Sequence, residues 1–359
     1  MPEKIKVLVV DDSALVRKII IDILEGDPRI EVVGTANNGK TAIFKNTVLN
    51  PDVITMDIEM PIMNGLDALK EIIRTNPKPV IMMSVLTQDG AEPTFKALEY
   101  GAVDFIPKPS SILSMTVEEI GNLLINKVIS VHNYKLKIKG GDEVVRGSEE
   151  PALPGKKDDI PKKKVVISPE KSNKIVCVGT STGGPSALLN VFKAMPVNFS
   201  SSMLVVQHMP EGFTRAFAER LNNSSALTVK EAEDGDEVLP GCGYIAPGHS
   251  HMYLETVAGK KTIRILKGEK VSGHQPSIDV LFNSVAENSG KNTVAVIMTG
   301  MGKDGASGIY NIKQKGGYTI AQNEDTSVVY GMNRVAVEMG AIDTIVPLND
   351  IPEKILEHL

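Results

Sequence analysis

A serine, a histidine and an aspartate, the residue types that cooperate in nucleophilic catalysis, each end or follow a strand-like apolar run in the second half of the chain. Ser181 lies in Gly179-Thr180-Ser181-Thr182-Gly183-Gly184, directly after Ile175-Val176-Cys177-Val178. His208 ends the run Met203-Leu204-Val205-Val206-Gln207, and Asp304 sits in Thr299-Gly300-Met301-Gly302-Lys303-Asp304-Gly305, after the run at 293–298. A serine hydroxyl is a poor nucleophile until an imidazole takes its proton, and a carboxylate must hold that imidazole in the correct tautomer. Backbone N–H groups at Thr182 and Met301, in the two glycine turns, suit an oxyanion. A lone serine before a helix is more simply an N-cap; the histidine and aspartate at matching strand ends change that reading.

A second set of polar residues marks the first half. Asp11, Asp12 and Asp57 follow or end apolar runs, Ser84 ends another, and Lys108 follows a fifth. Three clustered carboxylates repel one another unless a hard cation such as Mg²⁺ lies between them. A hydroxyl and an ammonium at the same edge could hold a phosphoryl group placed on Asp57. A phosphatase-type aspartate nucleophile would want a second aspartate two residues on, where Glu59 stands.

These residues need scaffolds that bring strand ends together. Runs at 5–10, 31–36, 52–57, 79–84 and 103–106 alternate with helical patterns, as in five βα repeats around a parallel sheet. The second half reads as a doubly wound α/β sheet: strand, glycine turn and helix at 175–192, then runs at 203–208, 227–230, 293–298, 318–321 and 343–346. A hairpin around Gly259-Lys260-Lys261 is an antiparallel excursion. The fold class is therefore α/β, with two doubly wound parallel-sheet domains at 1–135 and 173–359. Between them, 136–172 is rich in Gly, Pro, Lys and acidic residues and has no period, which predicts a flexible linker. Its Lys162-Lys163-Lys164 run is read as solvated. On the turn at Ser181 the glycines leave room for the hydroxyl to stand proud of the sheet.

The remaining histidines are weaker candidates. His249, His251 and His274 each read as structural or substrate-contacting, with no further ligands to complete a metal site. His132 has no evident partner. Gly179-Thr180-Ser181-Thr182-Gly183 also matches an α/β-hydrolase nucleophile elbow, but those chains run Ser, acid, His rather than Ser, His, Asp. A dinucleotide turn would want glycine at Pro185 and an acid at His208. With a net charge of −5 nothing points to nucleic acid. Two cysteines, Cys177 and Cys242, give no disulfide framework, and no run is long enough to cross a bilayer. A cytoplasmic monomer without membrane insertion is expected.

Residues 1 to about 125 resemble a response-regulator receiver domain, through Asp11-Asp12-Ser13, Met56-Asp57-Ile58-Glu59-Met60-Pro61, Ser84 and Phe105-Ile106-Pro107-Lys108-Pro109. That resemblance implies Asp57 as phospho-acceptor. Mg²⁺ would be held by Asp12, Asp57 and the Glu59 carbonyl, with Asp11 acting through water. Ser84 and Lys108 would contact the phosphoryl group and Phe105 would be the switch aromatic. The Lys108-Pro109 bond is often cis in such domains; here the sequence permits it.

The second domain is similar to the catalytic domain of chemotaxis protein-glutamate methylesterases. Gly179 to Pro185, Gln207-His208-Met209-Pro210, Ala246-Pro247-Gly248, Gln275-Pro276-Ser277-Ile278-Asp279 and 298–305 carry the similarity. It departs at Gln275, where the family has arginine, leaving a charged substrate contact there open. The resemblance implies a triad of Ser181, His208 and Asp304, with Thr182 and Met301 at the oxyanion site and no esterase cofactor. The activity implied is hydrolysis of glutamyl γ-methyl esters on chemoreceptors, with deamidation of receptor glutamines. A chemotaxis histidine kinase would supply the phosphoryl group, and the resting receiver would lie across the active-site edge. The alternative is a response regulator whose output domain binds a partner without catalysis.

Overall fold

The run Ile5–Val10 is apolar almost throughout, which suits a strand covered by helices on both faces. In the computed structural model, which describes residues 3–85, 88–108, 116–132 and 173–359, it forms β1 (Ile5–Val10) at the start of a βα series. The series continues as α1 (Ala14–Glu25), β2 (Ile30–Ala36), α2 (Gly39–Leu49), β3 (Val53–Asp57), α3 (Gly65–Thr75) and β4 (Val80–Ser84). It ends with α4 (Gln88–Glu99), β5 (Asp104–Pro107) and α5 (Val117–Val131). The five strands pair in parallel in the order β2-β1-β3-β4-β5. Their carboxyl ends therefore share one edge, and the order reverses between β1 and β3, where such sheets open a crevice.

The second unit repeats this logic at larger size. Its elements are β6 (Ile175–Thr180), α6 (Gly184–Ala194), β7 (Ser202–Gln207), α7 (Phe213–Ser224), β8 (Thr228–Glu231) and β9 (Cys242–Ile245). The hairpin β10 (His251–Val257) and β11 (Lys260–Leu266) follows, then α8 (Ile278–Asn288), β12 (Thr293–Ile297) and α9 (Ala306–Gln314). The unit closes with β13 (Tyr318–Gln322), α10 (Met332–Glu338), β14 (Thr344–Val346) and α11 (Ile351–Glu357). Seven strands form one parallel sheet, β14-β13-β12-β6-β7-β9-β8, while β10 and β11 pair antiparallel in a sheet of their own. The hairpin is thus an addition beside the main sheet. Strand β9 is the element that sequence patterning misses: it is short, follows Pro240-Gly241 and carries Gly243 in its middle.

The two units meet along a seam of aromatic rings. Phe105 of β5 packs on Phe213 of α7 with centroids 4.7 Å apart, and Phe95 of α4 on Phe217 at 5.5 Å. Arg220 of α7 pairs with Glu99 of α4 at 2.5 Å. Helix α5 reaches the second unit at both ends: Glu119 pairs with Lys270 at 2.7 Å, and Ser130 Oγ donates to Met301 Sδ at 2.7 Å. The expected linker, 136–172, and Pro109 with its peptide bond lie outside the described residues.

Candidate functional sites at two sheet edges

In the first unit, β1 ends at Val10 and delivers Asp11 and Asp12, and β3 ends on Asp57. A ligand oxygen from each carboxylate lies within 4.8 Å of the others. Asp57 is buried, and burial pushes its carboxyl up to about 6, helped by the Asp11 charge and opposed by Lys108. Asp11 is raised as well, again chiefly by burial. The Lys108 ammonium faces both, 2.7 Å from Asp57 Oδ2 and 3.4 Å from Asp11 Oδ2. Its own proton is held more tightly, because the attraction of these carboxylates outweighs burial. One ammonium for three carboxylates leaves the pocket short of positive charge, so the donor set fits a hard, oxygen-seeking cation such as Mg²⁺. The Glu59 carboxylate is exposed and stands outside the cluster; its amide donates to Asp57 Oδ1 at 3.3 Å. Ser84 Oγ lies 2.5 Å from Thr94 Oγ1 on α4, a partner that sequence reading did not supply.

In the second unit, β6, β7 and β12 are adjacent, and the sheet order reverses beside β6. This is the switch point where open α/β sheets bind ligands. Ser181 follows β6, His208 follows β7, and Asp304 lies on the loop between β12 and α9. The serine turn is cross-braced: Gln207 donates to Ser181 O at 3.0 Å and accepts from Thr180 Oγ1 at 2.6 Å. Thr299 Oγ1 donates to Thr182 O at 2.8 Å, while Ser181 N donates to Thr299 O at 3.0 Å. Two glycines are required here. Gly183 caps α6 with φ of 78°, in the left-handed region. At Gly300 a Cβ would stand 2.8 Å from Ser181 Cβ, so the second turn approaches the first only without a side chain.

Asp304 is the most fully engaged group of the site. Its Oδ2 accepts from His208 Nε2 at 2.8 Å and from the Ile278 amide at 2.7 Å. Its Oδ1 accepts from Ser277 Oγ at 2.8 Å and from the Asp279 amide at 3.1 Å. The carboxylate thus sits on the N-terminus of α8, where free N–H groups and the helix dipole favour negative charge. Burial alone would raise its pKa, but His208 and these donors outweigh that and hold it at about 2. An ionised Asp304 at Nε2 fixes the neutral tautomer of His208 with its lone pair on Nδ1. That Nδ1 is buried and has no hydrogen-bond partner among the described residues. Among the described residues Ser181 Oγ makes no hydrogen bond to it either; nucleophile–base bonds often tighten only when substrate binds.

Three findings go beyond the sequence reading. Ser181 is 9% exposed rather than standing proud. Val328, which closes over Gly183, also packs with Val329 against the core of the first unit. His274 stacks on His208, rings 3.7 Å apart and 9° from parallel. Burial and the neighbouring His208 depress its pKa to about 3, so it is neutral at physiological pH. His251 is structural, accepting from the Ser277 amide at 3.1 Å and bonding to Glu269 O at 2.8 Å. His132 lies 2.6 Å from Ile129 O through Nδ1, and so has a partner after all. Thr182 N and Met301 N, the expected oxyanion donors, bond to no carbonyl among the described residues.

Residues 176–355 match the family described as CheB methylesterase, and residues 7–117 match the response regulator receiver domain. The chain belongs to the CheB methylesterase family. A protein-glutamate methylesterase/protein-glutamine glutaminase of Methanococcus maripaludis is 46% identical over 358 residues, spanning 99% of this CheB-family chain and 98% of its own length. One from Pyrococcus horikoshii is 47% identical over 360 residues, with coverages of 99% and 94%. The crystal structure of the Thermotoga maritima CheB methylesterase catalytic domain aligns with a TM-score of 0.51 at 46% identity, covering 52% of this chain and 98% of that one. No described helix of this CheB-family chain is long and apolar enough to cross a membrane.

Proposed function

We propose that this chain is a phosphorylation-activated serine esterase that hydrolyses glutamyl γ-methyl esters on chemoreceptors and deamidates receptor glutamines. The observation that carries the reading is the His208–Asp304 bond of 2.8 Å at the switch point that also carries Ser181. In this mechanism His208 Nδ1 takes the proton of Ser181 Oγ as the oxygen attacks the ester carbonyl. The N–H groups of Thr182 and Met301 receive the developing oxyanion. Collapse of the intermediate breaks the C–O bond, and His208 returns the proton to the leaving methanol. Water, deprotonated by His208, then cleaves the acyl-enzyme to a glutamate carboxylate; with a glutamine substrate the leaving group is ammonia.

Residues 1–135 would act as receiver, 136–172 as tether and 173–359 as esterase. Asp57 accepts a phosphoryl group from a chemotaxis histidine kinase, and Ser84 and Lys108 contact it. Asp11, Asp12 and Asp57, with the Glu59 carbonyl, would hold Mg²⁺, which offsets negative charge during transfer. The receiver would restrain the esterase: α5 touches Met301 and Lys270, and the switch residue Phe105 packs on α7, which begins five residues after His208. Phosphorylation moves Ser84 and Phe105 and loosens that contact. The protein would act in the cytoplasm as a monomer. The full-length relatives named as esterases favour this reading over a non-catalytic output domain. Labelling by an organophosphonate probe tests it: a mass shift confined to Ser181 and lost with His208→Ala is expected, and an unlabelled Ser181 overturns it.

A further inference from the structure

Lys270, ion-paired with Glu119 at 2.7 Å, stands four residues before His274 in the chain. Lys270 precedes the turn Val271-Ser272-Gly273-His274, closed by hydrogen bonds between Val271 and His274 in both directions, 3.0 and 2.9 Å. Positive φ at Ser272 (53°) and Gly273 (81°) makes it a tight two-residue reversal. The far limb of that turn is His274, stacked on His208. The position of Lys270 is thereby tied to the catalytic imidazole, and its charge bears on His274.

What Lys270 holds is a carboxylate on a helix. Glu119 and Ser130 of α5 are eleven residues apart (130 − 119), about three turns and roughly 16 Å, so they share one face. One end of that face meets Lys270 and the other meets Met301, on the loop that carries Asp304. Helix α5 therefore bridges the loop of Lys270 and the loop that carries Asp304. Glu119 also caps its own helix, its Oε2 accepting from the Thr116 amide at 2.9 Å, which leaves Oε1 for Lys270. Gln275, on the same loop, is uncharged and spends its amide on Gly268 O at 2.9 Å.

We propose that Lys270 is a specificity-determining residue that binds a carboxylate on the substrate helix, two to three turns from the reacting glutamyl ester, in the place that Glu119 of α5 occupies in the resting chain. The inference rests on the esterase reading and adds a substrate feature to it: a helix with an acidic residue on the same face as the ester. Substrate and α5 then compete for one ammonium, so the contact that selects substrate also helps to seat the receiver. Lys270 and Glu119 are both partly exposed, with side chains 54% and 38% accessible, so the contact discriminates rather than anchors.

The test uses the full chain activated with acetyl phosphate and Mg²⁺. Its substrates are two coiled-coil peptides, each with one glutamyl γ-methyl ester. One carries glutamates two and three turns away on the same face; its twin carries alanines there. Wild type should prefer the acidic peptide by up to about fivefold in kcat/KM, through KM, the scale of a partly exposed ion pair. Lys270→Ala should abolish the KM difference between the acidic peptide and its twin, and Lys270→Glu should shift the preference to a third peptide with lysines at those positions. A Lys270→Ala chain that keeps the wild-type preference overturns the proposal while leaving the esterase reading intact. Failure of wild type to cleave any of the peptides overturns both.

Discussion

The two sheet edges are built alike and shift their buried carboxylates in opposite directions. Each gathers buried carboxylates at the carboxyl ends of parallel strands beside a topological switch point. In the receiver, Asp57 and Asp11 face each other and a single lysine, and their pKa values rise. In the esterase, Asp304 lies on a helix N-terminus with a histidine, a hydroxyl and two amides donating to it, and its pKa falls. Burial is common to both; the supply of donors decides the sign. One edge is short of positive charge and suits a cation and then a phosphoryl group. The other is complete in itself and suits a base that must stay in one tautomer.

The largest test of that contrast is kinetic. Ser181→Ala should lower kcat for methanol release by roughly 10⁴- to 10⁶-fold, and adding His208→Ala should lower it little further, because the groups act as a unit. Additive losses would dissolve the triad.

The opposite pKa shifts make opposite predictions for stability. Asp57 keeps its proton to about 6 when folded but releases it near 3.8 when unfolded. Between pH 4 and 6 the native state therefore holds more protons, and metal-free wild type loses stability as pH rises, by about 3 kcal/mol. Asp57→Asn should remove that loss and be more stable at pH 7. Asp304, held at about 2, stabilises the fold above pH 4 and ceases to as pH falls from 4 to 2. Asp304→Asn should cost about 2 kcal/mol at neutral pH, with the gap closing in acid. Urea unfolding of both variants across pH checks this; shifts of the same sign at pH 7 would end the contrast.

Cutting the tether within 151–171 should raise basal esterase activity and abolish its response to phosphodonor. A coupling of about 1–3 kcal/mol corresponds to a few-fold to hundred-fold rise. Equal basal rates for cut and intact chains would remove autoinhibition. The smallest effect concerns the imidazole stack. His274→Ala should lower kcat by about two- to tenfold, and His274→Phe should recover most of it, since an aromatic contact contributes about 0.5–1.5 kcal/mol. Equal losses in both variants would instead assign His274 a polar role.

Both folds and the three residue types of the proposed triad were legible because each feature is local: apolar runs mark strands, and strand ends mark edges. The contacts that were not legible are tertiary. His274 lies on a loop whose sequence says nothing of a ring 66 positions away (274 − 208). Thr94 reaches Ser84 only because α4 folds back over β4. Val328, nearly 150 positions along the chain, closes over Gly183 beside Ser181 and packs against the core of the first unit, a contact that no periodicity locates. Strand β9 failed for another reason: its own residues are half small or polar, and only its neighbours β7 and β8 make it a strand.

The ring seam between the units sets a clock. Phe95, Phe105, Phe213 and Phe217 are each 1–5% exposed while the units are joined. Separating them would wet the part of each ring that faces the other unit, at a cost of roughly 25 cal/mol per Å² that returns only on reclosure. An opened molecule would thus be greasy as well as uncovered, drawn back toward its own receiver or toward a crowded neighbour. On the proposed opening by phosphorylation, the working life of the open form would be bounded by hydration as much as by loss of the phosphoryl group, and the enzyme would shut off by recoil.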